Sequence, residues 1–274
     1  SDLSSSGRLG LSMGLYSAAR TLGGVAGPFL GSSVAQFWSY EHALYVYSIL
    51  SVVGALMTLT IVKTGGGPAS TVAGSSGLSQ DWKQFFMKDR FAVLFVFPVI
   101  VFMGNTAMNS YLPLYASESV GMSTLEIGAL LSVASVSGFL ATPLFGWVSD
   151  HVGRRQVVLS GFFLSATMLL CLFFARTPLY LTLALIGLKT CFLPLTPLLL
   201  AMLSEATPQR LLGAAMGIYS TFENLGTVIA PPIYTALWTT YAPGTIFVFS
   251  ALTQILVIPL LLSTEKHRTS PLRS

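Results

Sequence analysis

Eight stretches of this chain are long and apolar enough to cross a bilayer as helices, and this limits the fold more than any other feature. A bilayer core about 30 Å thick needs about 20 mostly apolar residues in helical form. The stretches are Gly10–Phe37, Ala43–Val62, Phe91–Ser117, Thr124–Ser149, Val157–Ala175, Leu179–Leu203, Gly213–Thr239 and Thr245–Leu262. They are too long for strands and lack the two-residue alternation of an outer-membrane barrel. Only 9% of the 274 residues are charged, against about 25% in an ordinary soluble domain. A disordered chain, a disulfide scaffold and nearly all water-soluble enzymes are thereby excluded. The expected fold class is an all-α membrane protein of about eight transmembrane helices.

The cations act as an orientation signal rather than a nucleic-acid footprint. The net charge is +4 and the pI about 9.1. Residues 64–90 are rich in Gly and Ser and read as a flexible central loop. Within it Trp82, Phe85 and Phe86, with Lys83 and Lys88, suit a short amphipathic helix at the membrane surface. If this loop is cytoplasmic, alternation puts Arg8, Arg154, Arg155, Arg210, Lys266, Arg268 and Arg273 on its side. The opposite loops carry Glu41, Glu118 and Glu126, with Arg176 as their fixed cation. The positive-inside rule then places both termini in the cytoplasm of a multi-pass plasma- or inner-membrane protein. Cys171 and Cys191 sit inside apolar runs, and neither suits an extracellular disulfide. No metal-ligand spacing is present, and no cofactor is implied.

The seventh stretch repeats the first. LGLSMGLYSAARTLGGVAGP (Leu9–Pro28) aligns without gaps on LGAAMGIYSTFENLGTVIAP (Leu212–Pro231). Gly10, Met13, Gly14, Tyr16, Ser17, Leu22, Gly23 and Pro28 recur as Gly213, Met216, Gly217, Tyr219, Ser220, Leu225, Gly226 and Pro231. Internal repeats mark transporter folds. The copies are six spans apart and enter the membrane from the same side, so the unit is six helices and the copies are parallel. Two units make twelve helices. The expected division is therefore a two-helix remnant of an N-terminal bundle (1–63), a cytoplasmic central loop (64–90) and a complete six-helix C-terminal bundle with a short tail (91–274). A preceding four-helix portion is the expected partner, and the polar opening Ser1–Gly7 suits a chain cut from something longer.

With these features the chain resembles the major facilitator superfamily, as helices five to twelve of that twelve-helix fold. Two motifs carry the resemblance. GWVSDHVGRR, Gly146–Arg155, is similar to the family's cytoplasmic signature in its position between helices eight and nine, with His151 where a cation is usual. The resemblance implies a gate built from Gly146, Asp150, Gly153, Arg154 and Arg155, with Gly146 permitting close helix approach. An ordinary positive-inside turn is the plainer reading. Gly14, Gly23, Gly27, Pro28 and Gly31 are similar to the antiporter signature of helix five in drug and metabolite exporters, with Ser32 replacing a final glycine. Such residues imply a close, bent helix contact that limits leakage as two halves rock; a generic small-residue packing face is the alternative.

Charge deep in a bilayer is costly and reads by default as functional. Arg20 and Glu223 lie about ten residues, or about 15 Å, from the cytoplasmic start of their helices. Lys189 reaches a similar depth from the other side, and Arg20 and Glu223 are equivalent positions of the repeat. Glu223 can exchange a proton while Arg20 cannot, so one reading makes Glu223 the proton site. Arg20 and Lys189 would then hold an anionic substrate group or reset Glu223. The other reading is a structural ion pair. Asn105 and Asn109, one turn apart, suit either a cavity lining or helix–helix hydrogen bonds. Tyr16, Tyr219, Phe222 and Gln254 are possible substrate contacts or core, and Glu118, Glu126 and Glu205 are expected to be solvated. Pro194 and Pro197 predict a broken helix after Lys189.

The expected function is secondary active transport of a small molecule, with lipid and protons as the other partners. The resemblance points to proton-coupled efflux of small organic compounds by alternating access. No phosphate-binding loop for ATP is present, and no nucleophile–base pair suggests an enzyme. The rivals are an importer of sugars or organic anions and a truncated, inactive membrane protein.

Overall fold

The computed structural model describes residues 9–61, 91–207 and 209–263. Among them every regular element is helical. α1 spans Leu9–Phe37 and α2 spans Tyr40–Ile61. α3 (Phe91–Thr106), a π-helical turn (Ala107–Tyr111) and α4 (Leu112–Glu118) run on as one unit. α5 (Thr124–Val152) and α6 (Arg154–Phe173) follow. α7 (Pro178–Phe192) and α8 (Leu195–Ala206) form a unit interrupted at Pro194, as the two prolines predict. α9 (Gln209–Thr240) and α10 (Thr245–Ser263) complete the order. The expected central loop and its amphipathic segment lie outside the described residues.

These eight helical units fall on the eight apolar stretches. Among the described residues, four segments, Tyr40–Thr60, Thr124–Val152, Arg154–Phe173 and Pro178–Glu205, are long and apolar enough to cross a membrane on length and composition alone. α1 is rich in Gly and Ser, and α9 carries Arg210, Glu223, Asn224, Pro231 and Pro232, which lower their apolarity. The 29 residues of α5 extend about 44 Å at 1.5 Å per residue, which exceeds a bilayer core and requires tilt or projection beyond it.

Six units close into a bundle. α3 packs along α9 and α10, α10 along α6, α6 along α7, and α7 along α5. Phe97, Phe162, Leu169, Leu185, Phe192 and Phe247 are fully buried at its centre. α1 lies along α5 and α2 leans on α1. No described residue of α2 is buried.

Close approach in this bundle is set by glycine, as expected where lipid offers no hydrophobic drive between helices. A Cβ on Gly226 would stand 2.3 Å from the Val99 carbonyl oxygen, so α9 rests directly on the α3 backbone. Two buried tyrosines add directional bonds. The Tyr234 hydroxyl lies 2.9 Å from the Met103 carbonyl and 2.8 Å from Ser250 Oγ, joining α9 to α3 and α10. Tyr115 donates to the Ala175 carbonyl at 2.8 Å. Among the described residues, the two positive-φ glycines, Gly121 and Gly153, sit just before α5 and just after it. They mark opposite ends of the bundle.

Candidate functional site

The polar groups of the interior meet where the third unit is distorted. Pro113 has no N–H, so the carbonyl of Asn109, four residues earlier, receives no α-helical hydrogen bond from it. The chain widens there into the π turn, and the Leu112 N–H bonds the Ala107 carbonyl five residues back. Single π turns inside α-helices are frequent at functional sites. Asn109 lies on this turn, exposed, while its neighbours Ala107 and Met108 are buried.

Lys189 comes to Asn109 from α7. Its Nζ donates to Asn109 Oδ1 at 3.0 Å, and Asn109 Nδ2 in turn donates to Asn105 Oδ1. The structure thus joins Lys189, Asn109 and Asn105 in one chain of hydrogen bonds. Lys189 is only 6% exposed. Neither ion pair among the described residues includes it. Its backbone is held as well as its side chain. A Cβ on Gly138 of α5 would stand 2.7 Å from the Lys189 carbonyl and 2.9 Å from the Leu193 side chain. On the same seam Thr190 donates to Ser137 Oγ at 3.1 Å.

A second buried polar group lies beside this chain. Gln254 of α10 is fully buried and accepts a 2.6 Å hydrogen bond from Ser165 of α6. Its Nε2 is buried without a hydrogen-bond partner, 2.9 Å from where a Cβ of Gly104 would stand. Gly104 immediately precedes Asn105. Gln254 therefore sits in the core, one residue from the Asn105 end of the relay.

Glu223 is half-buried on α9. Tyr219, one turn before it, is buried. Arg20 stands at the repeat-equivalent place on α1, but its side chain is outside the described residues, as is that of Tyr16.

The Gly153 end carries an ionic cluster. Arg154 reaches Glu205 at 3.0 Å and Asp150 at 3.7 Å. Arg155 is half-buried. Glu205, expected to be merely solvated, is exposed and also ion-paired; it ties the end of α8 to the start of α6. No described residue would lie within 4 Å of a Cβ at Gly146.

The contact between α1 and the bundle also differs in detail from the glycine motif. Among the described residues nothing lies within 4 Å of a Cβ placed on Gly23, Gly27 or Gly31, and Gly14 falls where side-chain surroundings are not described. Pro28 and Ser32 make the approach instead. A Cβ on Gly128 of α5 would stand 1.7 Å from Ser32 Oγ and 2.7 Å from the Pro28 carbonyl. The Phe29 N–H donates to Ser132 Oγ at 3.1 Å, and Tyr40 pairs with Thr124 at 3.0 Å. Sequence reading missed Gly128 and Ser132, although their four-residue spacing is a small-residue packing signal. Glu205 had no such signal.

Sequence comparison fixes the family. The Major Facilitator Superfamily model matches residues 1–140 and again 94–274. The chain belongs to the Major Facilitator Superfamily. Such facilitators are multi-pass membrane transporters of small molecules. This one is 32% identical over 147 residues to a probable nitrate/nitrite transporter, NarK2, of Mycobacterium tuberculosis, covering 53% of this chain and 36% of the relative. It is 23% identical over 250 residues to the multidrug resistance protein MdtG of a Rahnella species, covering 89% and 60%. The Escherichia coli fucose:proton symporter FucP superposes with a TM-score of 0.61 at 19% identity, over 82% of this chain and 57% of that one. That likeness speaks for the fold. This facilitator spans between about a third and three-fifths of the length of these relatives.

Proposed function

We propose that this facilitator is the greater part of a secondary active carrier that exports small organic compounds in exchange for protons, by alternating access. The observation that carries the reading is the α1–α5 seam. It joins the first repeat copy to the six-helix bundle through Pro28, Ser32 and Gly128, small enough for two bodies to rock against one another without a gap. The matches to MdtG, a multidrug resistance protein, support export. Glu223 is the proton site in this reading, with Arg20 in the other half as its counter-charge. Asp150, Arg154 and Glu205 latch the cytoplasmic end, and both termini face the cytoplasm of a plasma or inner membrane.

A four-helix N-terminal portion completes the carrier. The repeat supports it: Gly226 is covered by α3, and its equivalent Gly23 has no such cover among the described residues. Residues 1–63 then belong to the N-terminal bundle, 64–90 to the central loop and 91–274 to the C-terminal bundle.

The test is dye efflux driven by an imposed proton gradient, measured in inverted vesicles that hold the complete carrier. The expected result is efflux that collapses with the gradient and is lost in Glu223→Gln. Efflux indifferent to the gradient overturns proton coupling. Unchanged coupling in Glu223→Gln removes that residue from the role.

A further inference from the structure

The ammonium of Lys189 is buried with a neutral partner. A buried cation is costly unless it is paired, and an ammonium has three N–H donors to place. The hydrogen bond found for it goes to Asn109 Oδ1 at 3.0 Å, an uncharged amide oxygen. Neither ion pair among the described residues brings a carboxylate to it. Yet the site is firmly constructed. Gly138 lets the α5 backbone abut the Lys189 carbonyl, which fixes the helix. The π turn presents Asn109 on an exposed face, and Asn105 holds its amide nitrogen. The result is a positive charge just beneath an exposed, displaceable acceptor.

We propose that Lys189 is an anion site: a small oxyanion enters beside Asn109 and takes the ammonium from the amide oxygen. The exchange is favourable because a hydrogen bond between ionised partners is roughly twice as strong as one to a neutral acceptor. Asn109 keeps the site ordered while it is empty, and Asn105 keeps Asn109 in place. A cationic ligand is repelled there, and a neutral one leaves the buried charge unpaired. The cargo of the carrier is therefore an organic compound bearing a carboxylate or sulfonate, or a small inorganic oxyanion with the same chemistry. The inference rests on the carrier reading for its meaning as cargo recognition, but the binding site itself does not need it.

The test uses the full chain in lipid nanodiscs with three probes: benzenesulfonate, its neutral analogue benzenesulfonamide, and nitrate. Benzenesulfonate is expected to bind at least about tenfold more tightly than the sulfonamide, the smallest gap expected from a charge-assisted bond. Lys189→Gln is expected to erase that preference, Lys189→Arg to keep part of it, and Asn109→Ala to bind benzenesulfonate as tightly as the parent or more so. Nitrate that competes supports an inorganic oxyanion as cargo; nitrate that does not supports an organic one. Equal binding of sulfonate and sulfonamide by the parent overturns the proposal, and that comparison holds even if Lys189→Gln misfolds. An undiminished preference in a folded Lys189→Gln overturns it too. Vesicle uptake of benzenesulfonate separates the two readings. In vesicles that hold the complete carrier, selective binding without uptake refutes the carrier and leaves the anion site standing.

Discussion

Gly128 and Gly226 are both contact glycines, yet they differ in what they touch. A methyl group on Gly128 meets Ser32 Oγ at 1.7 Å, Ser32 Cβ at 2.4 Å and the Pro28 carbonyl at 2.7 Å. Two of those three atoms belong to one small side chain. Gly128→Ala is therefore expected to destabilise the chain by about 1–3 kcal/mol, the usual cost of overpacking. Adding Ser32→Gly should recover a substantial part of that loss. At Gly226 the added methyl meets the Val99 carbonyl oxygen at 2.3 Å and its Cα and carbonyl carbon at 3.0 Å, all backbone. Gly226→Ala should cost at least as much, and Val99→Ala should not rescue it. Thermal unfolding in detergent reads all of these. If Ser32→Gly fails to relieve Gly128→Ala, or Val99→Ala relieves Gly226→Ala, the assigned contacts are wrong. The sequence marks Gly226 through the repeat, but nothing in the pattern distinguishes backbone contact from side-chain contact.

At the scale of single helices, the start of α5 is the most fully specified end. The Ser123 side chain accepts from the Glu126 N–H at 3.3 Å, and the Glu126 carboxylate accepts from the Ser123 N–H at 2.7 Å and from its hydroxyl at 2.9 Å. This reciprocal cap satisfies donors that the first turn of a helix otherwise leaves open. Ser123→Ala is expected to cost about 1 kcal/mol. Glu126→Gln, which keeps an acceptor oxygen, should cost less than Glu126→Ala. Denaturant unfolding and amide exchange at the first turn of α5 check both; indistinguishable variants would show that the cap contributes nothing. Helix positions were legible because the bilayer demands long apolar runs, and Pro194 with Pro197 announced the break between α7 and α8. The π turn was not legible. Pro113 signals a disturbed helix, but whether it kinks or widens depends on what packs beside it, and Lys189 comes from a helix remote in sequence. The same holds for the α1 seam: the glycines of α1 stand out in the sequence, whereas the contact uses Pro28, Ser32 and a single glycine of α5.

Across the whole molecule, the long apolar runs made the helical architecture readable, while the pairing of its ends needed the fold. Arg154 and Asp150 share a motif, but Glu205 reaches Arg154 only because the end of α8 is brought beside the start of α6. The strength of this cluster determines what it can do. Arg154 is 30% exposed and Glu205 61%. An ion pair so open to water contributes about 0–1 kcal/mol, and 1 kcal/mol is about a fivefold change in an equilibrium. On the carrier reading, the cluster therefore biases the Gly153 end toward closure and cannot lock it, as a carrier that must open on every cycle requires. Ser149 is buried at this end and reports its opening. With Cys171 and Cys191 replaced by Ala, Ser149→Cys is expected to react with an impermeant maleimide about two- to fivefold faster when Glu205→Gln is added. In the parent background the rate should also rise with salt between about 0.01 and 1 M, as the screening length falls from about 30 to 3 Å. In Glu205→Gln that rise should shrink, because the more exposed Asp150 at 3.7 Å is the weaker partner left for Arg154. Labelling that ignores both the substitution and the salt would show that the cluster plays no part in closing this end.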